Sequence, residues 1–313
     1  MILQKVPSGI SGLMLGLAAL GNLLGTFSEN MRYFLGTISG MILLILLLKL
    51  FLFPKITKEE FQNPVLGSVM ATFPMGIMVL STYLTPIFSN LAFYIWIFGL
   101  VIHSILILLF TKIHILKFDI NNVFPSYFVI YVGIVIASVT AASFNLNSFG
   151  QVIFWFGFSI YLVLLPIVIY KQFITKETVE AIKPIAIIFA APASLCLAGY
   201  FSVFPEKNIL IVGFLGMLAF FNILYALIKM PKMLKLSFYP SFSAFTFPFV
   251  ISAIAFNQMS NYLHGIGINI PLLEQVRIFL IFWATLMVSL VFIKYIQFFY
   301  KHLDFSTNTV KDI

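Results

Sequence analysis

Two long stretches without charged side chains limit what this chain can fold into. No Asp, Glu, Lys or Arg occurs between Glu60 and Lys112, or between Ile120 and Tyr170. A helix needs roughly 20 mainly apolar residues to cross the hydrocarbon core of a bilayer, so each stretch is long enough for two crossings. The sequence therefore predicts an integral membrane protein.

The composition supports this class and favours helices over a barrel. Hydrophobic residues make up 61% of the chain and charged residues 9%, whereas about a quarter of the residues in a soluble domain are charged. A spanning barrel would need alternating apolar and polar residues, and the run MILLILLL at 41–48 does not alternate. Because lipid offers no hydrogen bonds to the backbone, we expect an all-α fold.

Charged residues, turn formers and prolines divide the chain into ten apolar segments, which we predict to be ten transmembrane helices of one domain covering residues 1–313. The segments are about 9–27, 32–53, 64–84, 88–110, 124–143, 149–170, 184–204, 208–229, 240–260 and 273–298. No clear cleavage site follows the first twelve residues, so the first helix is expected to be retained.

The distribution of basic residues predicts the orientation. In a ten-helix topology, fifteen of the eighteen Lys and Arg residues lie on one side, together with seven of the ten carboxylates. The other side keeps Arg32, Lys207 and Arg277. Since cytoplasmic loops are enriched in Lys and Arg, we expect both termini to be cytoplasmic. The side with fifteen basic residues holds Lys5, Lys49, Lys55, Lys58, Lys112, Lys117, Lys171, Lys176, Lys183, Lys229, Lys232, Lys235, Lys294, Lys301 and Lys311.

A repeat of helix-breaking residues marks the odd-numbered segments. Each begins near a proline: Pro7, Pro64, Pro125, Pro184 and Pro240. Each carries a second helix-weakening residue further on: Gly16, Pro74, Gly133, Pro192 and Pro248. A proline near a helix start is common in any helix, but an interior one frees a carbonyl that needs a partner or a watery cavity.

We therefore predict that the odd helices surround a central space and that the even helices lie outside. The odd segments also hold more Ser and Thr residues than the even segments, among them Ser68, Thr72, Ser194 and Ser252. These residues suit a pore lining, and they equally suit close packing between helices, so both interpretations stay open.

The residues needed for catalysis are scarce, so we predict a protein that is not an enzyme and has no cofactor. The four histidines do not have the spacing of a helical metal pair, and only His103 lies well inside a span, where packing is the favoured interpretation. No GxxxxGK[ST] loop is present. The odd segments lack charged residues in their interiors, and a neutral path with lysine-rich mouths would favour anions over cations.

The ninth segment places three Phe residues around a proline: Phe245, Phe247 and Phe249 flank Pro248. An aromatic ring facing the axis of a neutral pore could close it by steric block or dewetting. The chain contains 37 Phe, however, and the chemistry of the segment does not choose among them.

The sequence resembles the tellurite-resistance/dicarboxylate transporter family, which includes bacterial TehA proteins and the slow-type anion channels of plant guard cells. The likeness extends from VPSGISGLMLGLAALGN through FPMGIMV, FPSYFVIYVG and AAPASLCLAGY to SAFTFPF. It implies five helical hairpins, with the odd helices around a pore, assembled as a homotrimer. It also implies that a ninth-helix phenylalanine plugs the pore within the pattern aromatic, Ser or Thr, Phe, Gly or Pro.

That pattern maps the pore gate to Phe247, within Phe245-Thr246-Phe247-Pro248. The candidate pore-lining residues are Gly16, Pro74, Gly133, Pro192, Thr246 and Pro248. The leading interpretation is a channel for small anions in the cytoplasmic membrane, with anions and the lipid bilayer, not nucleic acid, as partners. The alternative is a carrier for C4-dicarboxylate, sulfite or tellurite-type oxyanions. An enzyme acting on lipid would need clustered acidic or metal-binding residues at membrane depth.

Overall fold

A computed structural model describes residues 2–174 and 179–308, and over these ranges it is helical without any β-strand. Eight of its helices are long and apolar enough to cross a membrane. The apolar helices Ile10–Leu24 and Gly133–Phe144 are shorter. The prediction of an all-α membrane fold is confirmed, while ten crossings in five hairpins stay a prediction. Lys176 and Lys311, both assigned to the cytoplasmic side, lie outside the described residues.

We number the ten apolar helical segments α1 to α10 in chain order. Several are built from two or more helical pieces, and a short surface helix, Pro54–Gln62, follows α2. The segments are α1 Ile10–Leu24, α2 Glu29–Leu52, α3 Pro64–Leu84, α4 Ser89–Ile115, α5 127–144, α6 Asn147–Ile174, α7 Glu180–Val203, α8 Ile209–Leu234, α9 Pro240–Gly265 and α10 Pro271–Asn308.

Burial separates the odd-numbered helices from the even-numbered ones. Over the most apolar 18 residues of α3, α7 and α9, 72%, 83% and 78% of the residues are buried. Over the corresponding 18 residues of the even-numbered helices, the buried share is only 28–39%. In α1, all residues but Asn22 and Leu24 are buried. The even helices expose large apolar side chains, such as Phe51, Leu108 and Leu210. Such a surface is stable against lipid and not against water, so the even helices form the membrane-facing layer.

The buried helices contact one another in a closed circuit. Helix α1 contacts α3, α3 contacts α5, α5 contacts α7, α7 contacts α9, and α9 contacts α1 again. Each even helix packs against the odd helix that precedes it. The chain thus arranges an inner set of helices with the even helices packed on their outer side.

Four of the five inner segments change helix type partway along. Helix α3 is interrupted at Met70 and Ala71, α5 contains a 3₁₀ turn at Gly133–Val135, and α7 changes from 3₁₀ to α at Ala190. In α9 the change occurs at Thr246. Pro74, Pro192 and Pro248 each lie within four residues after such a point, because a proline lacks the N–H that would continue the hydrogen-bond ladder.

The break expected at Gly16 is absent, which corrects the sequence interpretation. Helix α1 runs without interruption from Ile10 to Leu24, and the 3₁₀-type hydrogen bonds precede it, between Pro7 and Gly12. A single glycine weakens a helix by only about 1 kcal/mol relative to alanine, so tertiary packing holds α1 regular.

Candidate functional site

The inner helices enclose a first cavity near the ends where their prolines lie. Its volume is about 200 Å³. It is lined mainly by apolar side chains and by backbone, with few polar groups, among them Thr72, Ser241 and Ser243. Residues from α3, α5, α7 and α9 contribute to the lining, and Gly12 contributes from α1. No lysine, arginine or carboxylate belongs to this lining in the described ranges.

A second cavity lies toward the opposite ends of the same helices. Its volume is about 560 Å³, and its lining is more polar. Helices α1, α3, α5, α7 and α9 all contribute to it, together with the start of α2. The polar lining residues are Asn22, Thr26, Glu29, Arg32, Thr82, Thr85, Thr140, Ser143, Ser202, Asn257 and Gln258.

Phe247 lines both cavities and is the one residue that their linings share. Its side chain is 5% exposed, so neither cavity leaves the ring open to bulk solvent. The two cavities therefore meet at a single aromatic side chain, which separates them.

The backbone around Phe247 explains why the ring lies there. Thr246 has φ −97° and ψ −91°, which lie outside the helical range. The 3₁₀ helix Pro240–Phe245 and the α-helix that begins at Phe247 therefore do not form one continuous series of backbone hydrogen bonds. The Thr246 hydroxyl lies 2.9 Å from the carbonyl oxygen of Gly12 and 2.7 Å from that of Ser243. This hydroxyl fixes the break in α9 against α1.

Hydroxyl groups also join the inner helices to one another. Ser11 and Thr72 are hydrogen-bonded at 2.6 Å between α1 and α3, and the Ser68 hydroxyl donates to Ser126 at 2.7 Å between α3 and α5. Between α7 and α9, Ser194 and Ser252 lie 3.0 Å apart. For these residues the packing interpretation is supported, because their hydroxyls bind neighbouring helices.

Four of the seven predicted site residues come together at the first cavity. Phe247, Pro248, Pro192 and Gly133 all belong to its lining. The three others, Gly16, Pro74 and Thr246, are buried and line neither of the two cavities.

Gly16 and Pro74 instead serve contacts between helices. Gly16 lies against Thr246, since a Cβ at Gly16 would be 2.7 Å from the Thr246 Cβ. Pro74 directs its carbonyl toward Gly99 of α4, where a Cβ would be 3.1 Å from that oxygen. His103 is likewise a packing residue, since its Nε2 lies 2.9 Å from the carbonyl oxygen of Ile130 and the side chain is fully buried.

Sequence reasoning missed the charged lining residues of the second cavity, Glu29 and Arg32. Both lie at the start of α2, a segment assigned to the outer layer. The available signal was the scarcity of cations on one side of the predicted topology, where Arg32 is one of three.

Comparison with known proteins gives one family match. The SLAC1 family, described as voltage-dependent anion channel, matches residues 5–296. No curated protein matches the chain at a significant level.

Proposed function

The chain belongs to the SLAC1 family of voltage-dependent anion channels, and from this premise we propose that it conducts small anions through its two cavities, with Phe247 as the gate. The observation that carries the proposal is the position of Phe247 in the lining of both cavities. Removal of that one ring would join the cavities into a continuous path.

The arrangement of the helices supports a path inside each subunit. The closed circuit of α1, α3, α5, α7 and α9 surrounds both cavities, and the even helices separate it from lipid. In the proposed topology all ten segments cross the bilayer as five hairpins. Helix α1 has 15 residues, and the 3₁₀ turns that precede it complete its crossing.

The chemistry of the lining favours anions and a closed resting state. The first cavity has no carboxylate among its described lining residues to attract cations, and its wall is mainly apolar. An apolar constriction beside a bulky aromatic ring excludes water, and therefore ions, until the ring moves.

We further propose that the lysine-rich side faces the cytoplasm and that the protein assembles as a homotrimer in the cytoplasmic membrane. The excess of Lys and Arg residues on one side of the predicted topology supports a cytoplasmic location for that side. The resemblance to TehA proteins supports the trimer. Light scattering of the purified protein, corrected for detergent, measures the subunit number, and reagent access to single cysteines on each side measures the orientation.

Anion flux from liposomes tests the proposed gate. Phe247→Ala should increase voltage-driven chloride efflux well above that of the wild type. Phe249→Ala is the matched control, because Phe249 is fully buried two residues away, contacts Trp283 and lines neither cavity. Equal efflux from the wild type and Phe247→Ala, in a folded and incorporated protein, would rule out the gate.

The same assay separates the channel from a carrier of dicarboxylate, sulfite or tellurite-type oxyanions. A channel predicts efflux that follows the imposed voltage and is not accelerated by anion on the opposite side. Saturating efflux that is stimulated by counter-anion would instead support the carrier.

A further inference from the structure

Arg32 is the one cationic residue among the lining residues of the two cavities, within the ranges that the structure describes. It lies at the end of the second cavity remote from the lysine-rich loops. Phe247 also lines that cavity, so a single space extends from the gate to the arginine.

Neutral partners from two neighbouring helices hold the guanidinium group. Its Nε donates to Asn22 Oδ1 of α1 at 3.1 Å, and Nη2 donates to the carbonyl oxygen of Thr82 in α3 at 3.0 Å. The Cζ atom lies 4.9 Å from the centre of the Tyr83 ring. Such contacts orient the planar group without removing its charge.

Tyr83 is itself fixed in place. Its hydroxyl donates to the carbonyl oxygen of Ala18 at 2.6 Å, and its ring lies over Gly36 of α2, where a Cβ would be 2.4 Å from Tyr83 Cε1. Three helices, α1, α2 and α3, therefore position one positive charge at the cavity wall.

The charge of Arg32 is not neutralised by an ion pair. No carboxylate in residues 3–172 or 179–301, whose side chains the structure describes, forms a salt bridge with it, whereas Arg277 is paired with Glu274, and Lys49 with Glu60. Glu29 lines the same cavity one turn earlier in α2 but makes no salt bridge with Arg32. The guanidinium therefore keeps a positive charge that is free to attract an anion in the cavity, and the Glu29 carboxylate one turn away opposes this attraction.

We propose that Arg32 is an anion-attracting site at the mouth of the second cavity, which raises the anion concentration in front of Phe247. The inference rests on the proposed channel function and adds a determinant of its conductance. A unit positive charge roughly 7 Å from an anion in water-like surroundings concentrates that anion about threefold without salt, and about 1.6-fold once salt at 0.1 M screens the charge. At higher salt the effect should fade, since the screening length drops from about 10 Å at 0.1 M to about 3 Å at 1 M.

Single-channel recording in the Phe247→Ala background tests the proposal. Adding Arg32→Gln should reduce the anion current that enters from the Arg32 side by about 1.6-fold at 0.1 M salt, and the difference should largely vanish at 1 M. Arg32→Lys should keep most of the current, because it keeps the charge. Glu29→Gln should act in the opposite direction and increase the current.

The matched control is Lys207→Gln. It removes one positive charge, as Arg32→Gln does, on the same side of the predicted topology, and Lys207 lines neither cavity. Its conductance should equal that of the Phe247→Ala parent.

Two results would overturn the proposal while the channel function stands. One is an Arg32→Gln current equal to that of a conducting Phe247→Ala parent at 0.1 M salt. The other is a loss that is the same at both salt concentrations and in both directions, which would make Arg32 a structural residue only. A Phe247→Ala variant without current would overturn the channel itself, and the role of Arg32 with it.

Discussion

Gly16 of α1 lies directly against Thr246 of α9. A Cβ on Gly16 would be 2.7 Å from the Thr246 Cβ and 3.2 Å from the backbone nitrogen of Phe247. Real Cβ atoms essentially never come within 3.0 Å of such a neighbour, so the absence of a side chain at Gly16 allows the two helices to meet here. The position of Phe247 therefore depends on a residue of another helix that does not line either cavity.

Gly16→Ala is expected to disrupt the contact between α1 and Thr246 of α9, which positions Phe247. The added methyl group has to displace the break in α9, and overpacking of this kind destabilises by about 1–3 kcal/mol. We expect a lower apparent melting temperature and a higher basal anion efflux from liposomes than in the wild type. Unchanged values of both would show that the contact does not position Phe247.

Gly40→Ala provides the control for this substitution. Gly40 lies in α2, and a Cβ there would meet no atom within 4 Å. The same chemical change at this site should leave the efflux close to wild type and should not lower the melting temperature, since a Gly to Ala change within a helix stabilises by roughly 0.5–1 kcal/mol when space is available.

An ion pair between a buried lysine and a partly exposed glutamate fixes the short helix Pro54–Gln62 to α2 and to Ser8, just before α1. Lys49 Nζ lies 2.8 Å from Glu60 Oε1, its side chain is 2% exposed, and the Ser8 hydroxyl bonds to both groups. Lys49→Met would leave Glu60 without its counter-charge, which should lower stability by about 3 kcal/mol. Heating followed by size-exclusion chromatography of the detergent-purified protein measures the shift in apparent melting temperature.

The double variant Lys49→Met/Glu60→Leu should recover much of that loss, because no unpaired charge remains. Lys55→Met is the control at an exposed lysine of the same short helix and should change stability by less than about 0.5 kcal/mol. If the double variant loses as much stability as Lys49→Met and Glu60→Leu lose when added together, the two residues do not stabilise each other and the prediction is wrong.

Helices α4 and α5 are joined by a hydrogen bond between buried side chains. Trp96 Nε1 donates to Thr140 Oγ1 at 2.7 Å, and Trp96 is fully buried. Thr140→Val keeps the shape but removes the acceptor, so the indole N–H loses its partner at an expected penalty of about 1–3 kcal/mol. Thermal unfolding followed by tryptophan fluorescence should show the loss, and Thr140→Ser should restore wild-type behaviour.

The helical class and several helix starts could be predicted from the sequence because they follow from local chemistry. Helix α3 begins at Pro64 and α9 at Pro240. Proline suits the first turn of a helix, where an N–H has no partner within the helix. The charge-free stretches define apolar helices in the same local way.

The roles of individual residues depend on neighbours that are distant in sequence, so the pattern could not reveal them. Gly16 was predicted as a helix break, but α1 is regular there and the glycine serves contact with Thr246. Lys49 was counted only as a topological charge, because nothing local shows that Glu60 folds back onto it. Family resemblance, not local chemistry, selected Phe247 from the 37 phenylalanines.

Reversal potentials in planar bilayers test the anion path most directly. Purified wild-type protein and Phe247→Ala should be recorded under a KCl gradient, and then with nitrate, sulfite or malate in place of chloride. We predict a larger conductance for Phe247→Ala than for the wild type, with a reversal potential close to that of chloride. A reversal potential close to that of potassium, or no current from the incorporated variant, would contradict an anion path closed by Phe247.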